Sequence, residues 1–169
     1  MKRTIIVALV SIMILSIGVG SASAVNSLKQ GTVGLNVNVN DDFLLSGKYF
    51  IMKDVAVLAG LGIGIKGGDA KGTDIGLGAG ARKYLKTDDF APFVGGFLLY
   101  SSTRDSNQKT LSLMGEFGAE YFLHKEFSIE GSAGFGYQET KTSPPVSNPS
   151  QKETTIGTHR FGLSLNFYF

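Results

Sequence analysis

The chain has 169 residues, no cysteine and a formal net charge of +2. Lys2 and Arg3 carry that whole excess, because without them fourteen basic residues stand against fourteen acidic ones. Such a balance, with no basic stripe, excludes the electrostatic footprint of a nucleic-acid binder. The missing cysteines exclude disulfides, thiolate metal sites, a cysteine nucleophile and a lipid-anchored cysteine.

Residues 1–24 have the three parts of an export signal: basic Lys2 and Arg3, an apolar run beginning at Ile5, and the small residues Ala22, Ser23 and Ala24. Cleavage after Ala24 is expected, and residues 25–169 are then long enough for one domain.

Beyond residue 24 no stretch sustains helical spacing, and alternation repeats instead. Near the start, Val33, Leu35, Val37 and Val39 oppose Gly34, Asn36 and Asn38. The segment 43–51 is less regular, with Leu44 and Phe50 on its even face. In 55–65, Val57, Leu61 and Ile63 alternate with Gly60, Gly62 and Gly64, and in 73–85, Ile75, Leu77 and Ala79 alternate with Gly76, Gly78 and Gly80. The segment 90–102 is again mixed. In 110–123, Leu111, Leu113, Phe117, Tyr121 and Leu123 oppose Ser112, Glu116, Gly118 and Glu120. In 127–138, Phe127, Ile129, Phe135 and Tyr137 oppose Ser128, Glu130, Gly134 and Gly136. The last segment, 154–169, is the clearest: Phe161, Leu163, Leu165, Phe167 and Phe169 alternate with Arg160, Gly162, Ser164, Asn166 and Tyr168.

Eight such segments, 31–39 being the first, are joined by connections that alternate in kind. Tight turns at 52–54, 86–89 and 124–126 interleave with longer loops at 66–72, 103–109 and 139–153. Only the connection at 40–42 is short where a longer loop is expected. This pattern predicts an all-β fold, an eight-stranded antiparallel up-and-down transmembrane barrel. Charges and glycines share the even face, while twelve of the eighteen aromatic residues are at odd positions. The even face is therefore expected to line a narrow lumen and the odd face to meet lipid, with Tyr and Phe forming the interfacial girdles in the absence of Trp.

The closing strand 160–169 and the hairpin 118–131 resemble the OmpX/OmpA-type family of small outer-membrane β-barrels, a likeness that spans residues 31–169. It implies a location in the cell outer membrane and a structural, adhesive or host-interaction role. The terminal Phe169 behind Phe161, Leu163, Leu165 and Phe167 resembles the signal by which the outer-membrane barrel assembly machinery recognises its clients. That machinery and outer-membrane lipids are the implied partners.

Candidate chemistry is sparse. His124 lies in a tight turn beside Lys125 and Glu126 and is expected to be solvated. His159 has lipid-facing parity ten residues from the C-terminus, and ten residues at ~3.3 Å each, tilted near 40°, cover ~25 Å, the height of the apolar band. A lipid-modifying enzyme would use His159, but nothing in the spacing selects Thr158, Ser101 or Ser102 as its nucleophile. The glycine-rich runs 60–64 and 76–80 continue as strands and do not lead into the helix that a phosphate loop requires. No cofactor, no metal and no catalysis are expected. A narrow pore is the other alternative. Against it, Lys48, Arg82, Glu116, Glu120, Glu130 and Arg160 all have inward parity and are expected to form an ion network across the lumen.

Two details of that interior are expected. Phe50, Tyr84, Phe122 and Tyr168, each one or two residues from a strand end, should form an aromatic floor at the periplasmic end. Glu120 and Glu130 flank Lys125 by five residues each, so a hairpin sets them opposite each other, with Arg82 as the preferred cation. The loop 139–153, rich in Pro, Ser and Thr, is expected to be extended and to offer any extracellular ligand its largest surface.

Overall fold

The computed structural model describes residues 28–39, 44–66, 72–103, 108–142 and 151–169. Eight strands follow one another in chain order: β1 Val33–Asn38, β2 Leu44–Met52, β3 Val55–Lys66, β4 Gly72–Tyr84, β5 Phe90–Thr103, β6 Gln108–His124, β7 Phe127–Thr142 and β8 Gln151–Tyr168. Each pairs antiparallel with its neighbour, and β1 pairs with β8, closing a barrel. Closure satisfies the backbone of every strand without leaving a sheet edge, which is what allows strands to cross a membrane. Residues 1–24, where an export signal is expected, lie outside the described residues.

Alternation decides which side chains face out. Leu61, Leu77, Leu98, Leu113, Phe117, Phe135, Phe161 and Leu163 are exposed on the outer wall, while Lys48, Arg82, Glu120 and Glu130 are buried within. In water an apolar belt of this extent would be an aggregation surface. Around a barrel with a charged interior, it is the distribution that a bilayer requires.

Parity, however, is a property of each strand and not of the whole chain. A two-residue hairpin joins residues of opposite parity, as Met52 with Val55 and His124 with Phe127. A bulge just inside each of these turns, at Phe50/Met52 and Phe122/His124, restores the even-with-even pairing. The five-residue connection between Tyr84 and Phe90 is followed by no such bulge, so Tyr84 pairs with Phe93 and Arg82 with Gly95. On β5 the odd residues therefore face in. Phe93 is buried in the lumen, and Val94, Leu98 and Tyr100 face lipid, contrary to the single parity expected for the chain. A second reversal occurs on β8, where the register steps between Gly134↔Arg160 and Phe135↔Thr158, making His159 the extra residue of a bulge. Above it the even residues face out, and Ile156 is 69% exposed.

The expected loop 139–153 is shorter than its composition suggests. β7 continues to Thr142 and β8 begins at Gln151, with Thr140 paired to Glu153 and Lys141 to Lys152. Threonines with β-branched side chains and the Glu139–Lys152 ion pair at 2.9 Å extend the ladder. Only 143–150 remains between the strands, outside the described residues. Protease applied to intact cells is expected to cut within 143–150 and to spare the paired flanks; cleavage that needs prior disruption of the membrane would mean the barrel is inserted the other way round.

Candidate functional site in the barrel lumen

The lumen is filled from the turn end upward in layers, large side chains on alternate strands fitting against small ones between them. The lowest layer takes Phe50, Tyr84, Phe122 and Tyr168 from β2, β4, β6 and β8, all at most 2% exposed. One repeated backbone device sets their common height. Each donates its N–H to a carbonyl in the connection before the preceding strand: Phe50 to Thr32 (3.0 Å), Tyr84 to Asp54 (2.7 Å), Phe122 to Asp89 (2.8 Å) and Tyr168 to Glu126 (2.9 Å). The rings meet across the axis, with centroids 5.4 Å apart for Phe50 and Tyr84, 6.2 Å for Phe50 and Tyr168, and 5.5 Å for Phe122 and Tyr168. The intervening strands contribute the small buried residues Ala56, Ala91 and Ser128 at this level.

Two further residues complete the floor. Leu28 is buried in the same apolar cluster, brought there by a turn in which Gly31 donates to the Phe50 carbonyl at 2.8 Å. Gly31 has a φ of 90°, a conformation that favours glycine. Phe93, which alternation on the chain-wide parity assigns to lipid, packs its ring against Tyr84, with centroids 5.7 Å apart and planes tilted by 56°. Below the floor, the exposed Asp54 accepts from Lys83, and that hydrogen bond holds its carboxyl below the ordinary range.

The next layer is charged. Glu120 and Glu130 are directly paired across β6 and β7, and Lys48 lies between them, its Nζ 3.1 Å from Glu120 and 3.3 Å from Glu130. The ammonium also donates to the Tyr84 and Tyr168 hydroxyls, each at 3.0 Å, so the floor and the network share hydrogen bonds. Glu120 accepts in addition from Tyr84 (2.8 Å), Ser128 and Tyr168. Arg82 does not reach Glu120. It joins Glu130 at 2.7 Å and Glu116 instead, with its guanidinium 4.3 Å from the Phe93 ring centre. The forked cation thus serves two carboxylates, but the opposed pair is bridged by Lys48, because Lys48 projects from β2 to the level where the two glutamates face each other. Asn166 donates to Glu130 at 3.3 Å, and Asn36 donates to Asn166 at 2.7 Å. Among the described residues no buried side-chain nitrogen or oxygen lacks a partner. A group of this kind is stable only when fully satisfied, since each unpaired charge in a low-dielectric interior is costly.

Above the charges Ser46, Gly60, Gly78, Ser132 and Ser164 stand among the larger Leu58, Phe97 and Leu99 around a cavity of about 20 Å³ that also touches Arg82, Glu116 and Glu130. That is room for about one water molecule. The lumen is thus closed by a two-layer plug, aromatic below and ionic above.

The remaining expectations divide plainly. Arg160 pairs with Gly134 in the backbone register, but its side chain, like that of His159, lies outside the described residues. Ser101 and Ser102 are on β5 and Thr158 is on β8, strands that are not neighbours in the ring. His124 is exposed in its turn, its Nδ1 accepting from the Glu126 N–H at 3.4 Å. Among the described residues no cluster of His, Asp and Glu is arranged to hold a metal ion. Asn36, Asn166 and Ser128 join the network unpredicted, although their even positions beside the expected charges carried the signal.

A closed antiparallel barrel with an apolar outer wall and a charged, plugged lumen is a membrane-spanning β-barrel. Solved structures share this fold. The N-terminal β-barrel domain of Pseudomonas aeruginosa OprF aligns with a TM-score of 0.50 at 18% identity, covering 83% of this chain and 98% of that one. The outer membrane protein OprG from Pseudomonas aeruginosa aligns with a TM-score of 0.55 at 11% identity, covering 86% and 99%. No protein-family model matches the sequence, and no curated protein sequence matches it either. The fold is therefore that of the small outer-membrane barrels, the class that the closing strand and the 118–131 hairpin resemble.

Proposed function

We propose that this chain is an integral outer-membrane β-barrel with a structural or surface-interaction role, serving envelope integrity or adhesion, and that it is not an enzyme. The observation that carries this reading is the plug: a lumen filled by interlocked aromatic rings and satisfied ion pairs offers neither a solute path nor a reactive group free to act. The short turns face the periplasm and the longer loops the exterior. Residues 1–24 direct export and are removed after Ala24. Phe161, Leu163, Leu165, Phe167 and the terminal Phe169 present the apolar strand by which the barrel assembly machinery would engage it. Any extracellular ligand meets the hairpin that ends in 143–150.

Two measurements test this reading together. Protein purified from the outer-membrane fraction should begin at Val25 on N-terminal sequencing. In planar bilayers it should show no steady single-channel conductance. Stable, ion-selective openings of the wild-type barrel would favour the narrow pore instead, and an intact N-terminus would remove the export assignment.

A further inference from the structure

The outer wall bears a second charged feature, unconnected with the plug. Lys109, Lys141 and Lys152 are mutually paired across β6, β7 and β8, so three ammonium groups stand in one row on adjacent strands. All three are exposed. They share the outward face with Leu113, Tyr137 and Ile156, which form a parallel apolar row four residues nearer the turn end on each strand. Like charges set directly opposite one another across strands are destabilising unless an anion joins them. Among the described residues a single carboxylate does so: Glu139 contacts Lys152 at 2.9 Å and Lys141 at 3.4 Å, and Tyr137 donates its hydroxyl to it at 3.0 Å. Lys109 makes no ion pair among the described residues. Among the described residues the row thus keeps two more positive charges than its one carboxylate offsets.

Its height matters as much as its charge. Strands β6, β7 and β8 have 17, 16 and 18 residues, whereas about 9–11 suffice to cross a bilayer. Tyr137 lies ten residues above Phe127, about 25 Å along the normal for a strand tilted near 40°, and so falls at the hydrocarbon boundary; Lys141 stands about 10 Å higher. At that level the wall faces the headgroup layer of the leaflet and not acyl chains.

We propose that Lys109, Lys141 and Lys152 bind the phosphate groups of a phosphorylated lipid of the outer leaflet, whose acyl chains lie against Leu113, Tyr137 and Ile156. Lysine serves phosphate as a point charge, and three in a row at ~4.8 Å spacing span more than one phosphate group. Glu139 orders two of the ammonium groups without neutralising the row. The proposal rests on the outer-membrane location put forward above.

The test uses the full barrel purified in an uncharged maltoside detergent, with native mass spectrometry counting bound lipid as lipid A carrying both phosphates is titrated in. One lipid should bind saturably, and added salt should weaken it. Replacing all three lysines by alanine should weaken binding roughly a hundredfold, the loss expected for three basic residues at a charged membrane surface. The triple arginine variant should bind as wild type does. Equal binding by the triple alanine variant, or by lipid A stripped of its phosphates, would overturn the site. Inorganic phosphate competing at concentrations similar to the lipid's would also overturn it, showing a site for the free ion. Because binding is read on purified protein, these outcomes are separate from cell fractionation. A barrel found outside the outer membrane would remove the location, while a located barrel that ignores lipid A would remove only the site.

Discussion

Replacing Lys48 by methionine should destabilise the barrel by about 3–5 kcal/mol, the loss typical of breaking a buried ion pair from one side. The substitution keeps most of the volume and removes the one ammonium that lies between Glu120 and Glu130. Those carboxylates are directly opposed in the β6–β7 register, and two so close cannot both ionise at low cost without a cation. The Tyr84 and Tyr168 hydroxyls lose the same donor, so the floor loosens with the network. Adding Glu120→Gln to Lys48→Met should restore part of the loss, with a coupling of about 0.5–3 kcal/mol in the double-mutant cycle. Urea unfolding in detergent, followed by the mobility of unheated protein on gels, measures both. A loss below about 1 kcal/mol, or strict additivity, would mean that each glutamate is separately hydrated and that no network exists.

Gly118→Val should prevent the barrel from closing, whereas Gly131→Ala should fold as wild type does. A Cβ at Gly118 would lie 2.3 Å from the Gly131 carbonyl, 2.7 Å from the Phe93 ring and 3.0 Å from the Ser132 Cα. Two of those three atoms are backbone and cannot move aside. Overpacking of a core ordinarily costs about 1–3 kcal/mol, and valine adds two methyl groups beyond the offending Cβ. At Gly131 an added Cβ meets nothing within 4 Å, so the control changes only backbone freedom. Folded yield in detergent micelles, with the compact unheated band as readout, separates the two. Equal yields would show that the lumen has slack at the level of Phe93 and that the plug is not tightly packed.

Much of this architecture was legible in the chain itself. Alternation, eight segments and the succession of short and long connections are local properties, and the ladder geometry turns them into a barrel with few alternatives. Glu120 and Glu130 were placed opposite each other by counting from Lys125, because a hairpin makes register arithmetic. The heights of Phe50, Tyr84, Phe122 and Tyr168 followed from their distance to strand ends. The identity of each charge's partner did not follow. Parity gives the face and turn distance gives the height, but whether Lys48 or Arg82 reaches Glu120 depends on where β2 and β4 stand around the ring and how far each side chain extends.

By itself, then, the sequence determined a cysteine-free, membrane-spanning barrel with charges inside, since burying alternate faces in lipid and lumen admits only one assignment of the apolar side. Tertiary structure alone decided the inward turn of Phe93, the reversal at His159, the continuation of β7 and β8 past Glu139, and the alignment of three lysines on the outer wall. Each of these depends on how neighbouring strands pair and on where a bulge is present or missing, and a bulge has no composition of its own. It inserts one residue, flips the parity of everything beyond it, and is visible only once the partner strand is in place.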